Sequence, residues 1–429
     1  MSISFSTYVD MNRKLNQLIV QPRMGFGKLT DMGAGLKAVY QAQAPTIGTI
    51  TLDSYTRVNK YEDARKALRN NEHLNGFPIV THGAEQTKEL LGSITDKNDF
   101  SVQVRHGTAL PRDIFKTIIQ SNIDATEGGP ISYCLPYSRV AIKDAIQNWI
   151  ESCHIFSNSR REGYEPHIES FAGCMLGQLC PPSLLIALGV LEGLFFKCYG
   201  INSVSLSYAQ CINPVQDITA IAVLKKLGAE FLSGLNWHTV MYGYMGVFPT
   251  SLYGSIKLIS DSAQIAKFSK CERLIVKTPL EAYRIPTIEE NVASLEMAYA
   301  VSEEGNDNDF IIDEQEFEVI YTEARSMIDA VLNIDDDLSK SLPLAFKKGL
   351  LDVPYCLHVE NSNQTRCYID EKDYLKWADV GNLPIKNDTK QLNSRGPIVT
   401  SDLLLEMLMK MRTKYDGKFY KNTGEIYAN

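Results

Sequence analysis

From about residue 15 to residue 300, short apolar runs alternate with longer stretches whose apolar positions recur at helical spacing. That alternation predicts a parallel sheet whose strands are joined by crossover helices. The candidate strands end in polar or glycine-bearing tips. Leu18–Val20 runs into Gln21-Pro22-Arg23, Thr46–Leu52 into Asp53-Ser54-Tyr55-Thr56-Arg57, and Phe77–Val80 into Thr81-His82-Gly83. Val102–Val104 delivers Arg105, and Ile123–Thr126 delivers Glu127 just before Gly128-Gly129. His167-Ile168 leads to Glu169-Ser170-Phe171, Val204–Leu206 to Ser207-Tyr208, Thr239-Val240 to Met241-Tyr242, and Leu274–Val276 to Lys277. These are nine candidates where a closed (β/α)8 barrel needs eight, so one is expected outside the barrel wall. The expected fold is therefore α/β, a TIM (β/α)8 barrel over residues 15–302. A segment, 1–14, precedes it, and a smaller C-terminal α+β region, 303–429, packs on it.

The boundary near 303 comes from a change of composition. Glu303-Glu304-Gly305-Asn306-Asp307-Asn308-Asp309 is an acidic, turn-rich connector, followed by a helical pattern around Glu323–Leu332 and a second acidic turn at Asp335-Asp336-Asp337. The most apolar run, Leu184–Phe196, contains Glu192 and is too short to span a bilayer. It predicts a buried helix begun by Pro181-Pro182-Ser183.

Composition narrows the partners. The chain has 429 residues, 44% of them hydrophobic, enough for a large core. Its formal charge is −8, without a block of lysine or arginine, which disfavours nucleic acid and anionic membrane. Nine scattered cysteines, without CxxC spacing, fit free thiols in a reducing, cytoplasmic setting. Met1-Ser2-Ile3-Ser4 opens no signal-peptide pattern. No HxxH or HExxH pattern points to a protein-bound metal.

The candidate chemistry gathers at the strand tips, the edge where a barrel builds its active site. Arg23, Arg57 and Arg105 occupy equivalent positions there, and guanidinium groups suit bidentate capture of carboxylates. Each one alone is more simply a rim ion pair. Together they point to a small dicarboxylate, because three such heads ~7 Å apart repel by about 2 kcal/mol per pair and welcome a dianion. Glu127 is suited to holding a ligand ammonium or a proton, and equally to pairing one of the arginines. Its glycine neighbours leave room for a ligand or for backbone to come close. Tyr133 and Tyr137, bracketing Pro136, are ordinary core or rim residues at this spacing unless they bind the same ligand. Lys277 and Glu281 are either a plain salt bridge or two groups on one face of a helix begun at Pro279.

Taken in order, these motifs resemble the large (epsilon) subunit of glutamate mutase, or methylaspartate mutase. They are Gln21-Pro22-Arg23, the Asp-x-Tyr-Thr-Arg of 53–57, Leu74-Asn75-Gly76-Phe77-Pro78 and Arg105-His106-Gly107-Thr108. Glu127-Gly128-Gly129, the Ile-Ser-Tyr-x-x-Pro-Tyr of 131–137 and the Val-Lys-Thr-Pro-x-Glu-Ala of 276–282 continue the series. The resemblance runs from about Gln21 to Glu290, and more weakly through Gly349–Pro354 to Gly381–Pro384.

It implies a TIM barrel that works with adenosylcobalamin, shared with a separate small cobalamin-binding subunit, in an assembly built on a homodimer of large subunits. It places a substrate clamp on Arg23, Arg57 and Arg105, the amino-group partner on Glu127 and supporting phenols on Tyr133 and Tyr137. It gives catalytic weight to Glu127 and Arg105, and contacts to the cofactor to Lys277, Glu281 and Pro136. The implied reaction is the radical interconversion of L-glutamate and L-threo-3-methylaspartate. A cofactor-derived radical takes hydrogen from C4, and the substrate radical fragments to a glycyl radical and acrylate that recombine.

Two departures stand out. Tyr242 occupies a position where many relatives carry histidine, and Phe171-Ala172-Gly173-Cys174 replaces a bulkier tip. The cobalamin-ligating Asp-x-His-x-x-Gly pattern is missing, and its nearest match, Asn71-Glu72-His73-Leu74-Asn75-Gly76, falls on the large subunit's own Leu-Asn-Gly-Phe-Pro motif. The competing readings are a mutase or lyase for another amino- or oxo-dicarboxylate in a biosynthetic pathway, and a non-catalytic dicarboxylate-binding protein.

Overall fold

The computed structural model describes residues 3–95, 99–175, 179–304, 311–385 and 396–422, with side chains as far as residue 417 at the C-terminal end. Eight parallel strands form one sheet: β1 (Ile19–Pro22), β2 (Gly48–Thr51), β3 (Val102–Arg105), β4 (Ala125–Gly128), β5 (His167–Ser170), β6 (Ser203–Ala209), β7 (Asn236–Tyr242) and β8 (Arg273–Val276). The hydrogen-bonded order runs β1-β8-β7-β6-β5-β4-β3-β2, and a parallel bridge between Val20 and Thr46 joins the two ends of that series. The result is the expected α/β barrel of TIM type, nearly continuous around its circumference.

The extra strand candidate is Phe77–Val80. Phe77 makes one parallel bridge to Leu52, and Ile79–His82 then forms a short helix that ends at Gly83, whose φ is +84°. A brief apolar run does not by itself distinguish a strand from a buried helical turn. Here Pro78 and Gly83 bracket the turn.

The first helix, Phe5–Lys14, lies across the N-terminal mouth of the barrel. The Phe5 amide donates to Asp124 Oδ2 at 2.9 Å, and its ring lies 4.6 Å from the His167 ring and 5.0 Å from the Arg273 guanidinium. The strand tips at the opposite end are left as the place where a ligand can enter.

The apolar run around Leu184 is the buried helix Pro182–Cys198, with Pro at its first turn. The helix expected near Glu323 is Glu314–Leu332, and Asp337 of the acidic turn caps the next one, Leu338–Lys348, by accepting from the Ser339 amide. Helix Glu314–Leu332 packs on Pro182–Cys198 and Pro214–Phe231. β9 (Arg366–Ile369) and β10 (Leu375–Asp379) form an antiparallel pair. The final helix, Ser401–Asn422, runs along Leu252–Phe268, where Asp416 accepts from the backbone and hydroxyls of Thr250 and Ser251. Of the acidic connector, residues 305–309 lie outside the described residues. Among the described residues no helix is long and apolar enough to cross a membrane.

Candidate active site

The barrel interior is polar where aliphatic layers are usual. Residues two apart on one strand point the same way, and the inward positions here carry Gln21, Gln103, Glu169, Ser205, His238 and Arg273, all buried. Arg273 is the hub. It donates to Gln21 Oε1 at 2.7 Å, to His238 Nε2 at 2.8 Å and to Ser205 Oγ at 3.0 Å, and it is paired with Glu169. Burial and the Arg273 charge keep His238 neutral, so that its ring nitrogen can accept. Burial alone would raise the Glu169 carboxyl, but Arg273 and the Tyr242 hydroxyl overcome it and hold it below the usual carboxylate range.

Above that layer stands Glu127, directly across the β4–β5 ladder from Glu169. Its Oε1 accepts from the Tyr133 hydroxyl and from Arg105 Nε at 3.1 Å, and its Oε2 touches the Tyr242 hydroxyl at 2.7 Å. The same Tyr242 hydroxyl contacts Glu169 Oε1. Burial raises the Glu127 carboxyl against the opposing pull of Arg105, and Glu169 adds to the rise.

The glycines after Glu127 serve backbone and side-chain packing, not a ligand. Gly128 has φ +126°, and a Cβ there would sit 2.5 Å from the Tyr133 ring. A Cβ on Gly129 would fall 2.1 Å from the Glu192 carboxylate. Glu192, the lone acid of the apolar helix, accepts from the amides of Ile131 and Ser132 and from the hydroxyls of Ser132 and Ser170. Burial still pushes it up to about 7. It holds the turn that carries Tyr133, and its only sequence signal was a carboxylate stranded in an apolar helix.

All three arginines face one cavity of about 100 Å³, lined also by Thr51, Glu127, Tyr133, Tyr137, Phe171 and Met245. They reach it differently. Arg105 is fully withdrawn, and its Nη1 is buried without a partner. Arg57 is anchored by Nε to Leu52 O at 2.8 Å. Arg23 is about one-third exposed and lies 3.5 Å from Glu281. The buried Thr51 hydroxyl also lacks a partner, so the cavity wall offers donors that an anion would satisfy. Tyr137, half-exposed, stands at the cavity's edge.

Lys277 and Glu281 form an ion pair of 2.9 Å, but residues 279–283 are a turn and not the helix considered above. Burial, with Arg23 adding to it, lowers Lys277 to about 8 against the support of Glu281. Pro136 does not line the small cavity. It belongs to a wider one of about 840 Å³, which shares Arg57, Gly107 and Tyr137 with the first and is bounded on its far side by Tyr355–His358. The Asn71–Gly76 segment is structural. His73 is exposed, Asn75 accepts from the Ser54 amide, and Gly76 packs on the Leu52 backbone.

Against known proteins, the family model described as methylaspartate mutase E chain matches residues 2–396. The chain belongs to that family. It is 31% identical to the glutamate mutase epsilon subunit of Desulfitobacterium hafniense over 388 residues, covering 87% of this chain and 79% of the relative. The epsilon subunit of Halobacterium salinarum is also 31% identical, over 88% and 80% of the two chains. That of Escherichia coli O157:H7 is 29% identical over 89% and 81%. These names mark the chain as a subunit of a mutase, an isomerase.

Proposed function

We propose that this chain is the substrate-holding subunit of an adenosylcobalamin-dependent mutase that interconverts L-glutamate and L-threo-3-methylaspartate. One observation carries the reading. Three guanidinium groups from separate strand tips line the same small cavity as a buried carboxyl. Arg105 and Arg57 take one substrate carboxylate and Arg23 the other, while Glu127 faces the amino group. Tyr133 keeps Glu127 in place, and Tyr137 covers the site from the mouth. Phe171 and Met245 supply apolar wall, which keeps water from a reactive intermediate.

The residues present suit the cofactor. Lys277 and Glu281 offer a buried ammonium and a partly exposed carboxylate next to Arg23, and the adjacent Thr278 hydroxyl is buried without a partner. That set matches the donors and acceptors of a ribose diol, and Pro136 lines the wider cavity outside it. Bound there, the cofactor supplies a carbon-centred radical able to remove an unactivated hydrogen. The chain's own part is to hold both halves of a rearranging dicarboxylate within reach of each other. A separate small cobalamin-binding subunit completes the enzyme, on a homodimer of this chain. The nine cysteines are all free thiols, in keeping with a cytoplasmic setting.

The test mixes this chain with a cobalamin-binding small subunit, adenosylcobalamin and glutamate under anaerobic conditions. The expected result is a coupled organic-radical and Co(II) paramagnetic signal together with 3-methylaspartate. Glutamate binding with no cobalamin uptake and no product would sink the reading.

A further inference from the structure

Tyr242 has one hydroxyl proton, yet its oxygen stands at hydrogen-bond distance from Glu127 Oε2, at 2.7 Å, and from Glu169 Oε1. Two oxygen–oxygen contacts need two protons. The Tyr133 proton is spent on the other oxygen of Glu127, so it cannot supply the second. Tyr242 and Glu169 are fully buried and lie outside the lining of the small cavity, and atoms at hydrogen-bond distance have no water between them, so a contact without a proton would go unrelieved.

We propose that Tyr242 is a positioning residue that joins Glu127 and Glu169 through a shared proton, so that the ligand-free site holds one carboxylic acid and one carboxylate. Arg273 settles which is which. It is paired with Glu169 through Oε2, where Gln103 and Ser205 also donate at 3.3 Å, so Glu169 is the anion. The order of donation is then Glu127 Oε2–H to Tyr242, and Tyr242 O–H to Glu169. Arg105 Nε donates to Glu127 Oε1 whether or not Oε2 carries a proton, and its guanidinium lies 4.9 Å over the Tyr242 ring. Also facing the array are Arg57 and Arg23 across the cavity, Tyr137 and His106 against the Tyr133 ring, and the Cys174 thiol, which burial and the two acids keep neutral.

This deepens the proposed function and rests on it for its consequence. A substrate ammonium arriving at Glu127 replaces the proton. The Glu127 O–H bond breaks, the proton leaves to solvent through the cavity mouth, and a charge-assisted N–H···O contact forms in its place. A dicarboxylate without an amine has nothing to exchange.

The shared proton is tested in the ligand-free full chain by infrared difference spectroscopy at neutral pH, wild type minus Glu127→Gln, in water and in D2O. The expected result is a carboxylic-acid carbonyl band that shifts in D2O and is lost in the variant. In Tyr242→Phe the band should disappear or move to higher frequency. Carboxylate bands alone in the first difference, or an unmoved acid band in Tyr242→Phe, would overturn the proposal; should either variant not fold, the other decides. Calorimetry in two buffers of unlike ionisation heat then reads the exchange, with about one proton released per glutamate and none per glutarate. Glutamate bound without proton release would overturn the exchange. An acid band in a chain that binds neither ligand would leave the shared proton standing and remove the dicarboxylate reading.

Discussion

Arg105 Nε lies 3.1 Å from Glu127 Oε1, with the two side chains only 4% and 1% exposed. Burial works against the Arg105 charge, and Glu127, Tyr242 and Tyr133 together more than offset it, holding the guanidinium well above its ordinary range. One terminal nitrogen remains unpaired. An arginine this well held yet not fully satisfied is prepared for an anion.

Arg105→Met should therefore separate binding from folding. Breaking a buried pair is costly when the remaining charge cannot be quenched, but in the ligand-free site Glu127 already carries the shared proton and is left neutral. Thermal stability is expected to fall by no more than ~2 kcal/mol, while glutamate affinity drops on the order of ten- to a hundredfold, the value of one charge-assisted contact. Denaturation curves and calorimetric titration on the same preparations check it. An unchanged affinity would remove Arg105 from the clamp.

Arg57→Lys tests geometry at constant charge. The Leu52 carbonyl fixes Arg57 by its Nε, which directs the terminal nitrogens into the cavity. Lysine lacks both the anchor and the two-pronged head. Turnover in the reconstituted enzyme should fall by roughly a hundredfold, as for a small misplacement of substrate, with no change in melting temperature. Near-normal turnover would show that the second prong is idle.

Glu192 is the support under the site, and Glu192→Gln should show it. The amide would turn its own N–H groups toward donors that now reach one carboxylate oxygen, at a cost of roughly 2–3 kcal/mol. The pH dependence carries a sign. Glu192 sits near 7 in the folded chain against the ordinary 4.5, so between those values the folded state keeps a proton that the unfolded state has released. Its contribution to stability therefore falls as pH rises through that window. The variant should lose that part of the slope, measured by urea denaturation from pH 4.5 to 7. Gly129→Ala should mimic the destabilisation by pushing a methyl into the same carboxylate.

Much of this was legible in the chain. The strand tips announced themselves because each apolar run stops abruptly at a polar residue, and Arg23, Arg57, Arg105 and Glu127 were visible for that reason. Phe77–Val80 misled because four apolar residues look alike in a strand and in a buried turn. Glu169 stands out in the sequence only as a strand tip and Arg273 not at all, although a signal for both is present. Charged or amide side chains at every second position of strands otherwise made for burial can only face one another across the axis. Lys277 and Glu281 form a plain ion pair, one of the two readings their spacing left open, across a turn and not on a helix begun at Pro279. Glu192 was noticed only as a break in an apolar run, whereas a carboxylate there had to find donors from another segment.

Lys277 gives a prediction with the opposite slope. Burial brings it down to about 8 from the ordinary 10.5, although Glu281 lies 2.9 Å away. Between those values the unfolded chain binds the proton that the folded chain has lost, so stability rises with pH across the window. At neutral pH the buried ammonium is therefore a net burden, and Lys277→Met should stabilise the chain by roughly 1–3 kcal/mol while flattening the rise between pH 8 and 10.5. Glu281 keeps a cationic neighbour in Arg23, so the variant does not strand a charge. If the lysine is kept for the adenosyl ribose and not for the fold, the stabilised variant should also lose most of its cofactor-dependent turnover. Melting curves against pH, run beside turnover in the reconstituted enzyme, read both. A variant less stable at pH 7, yet fully active, would mean that Lys277 belongs to the scaffold alone.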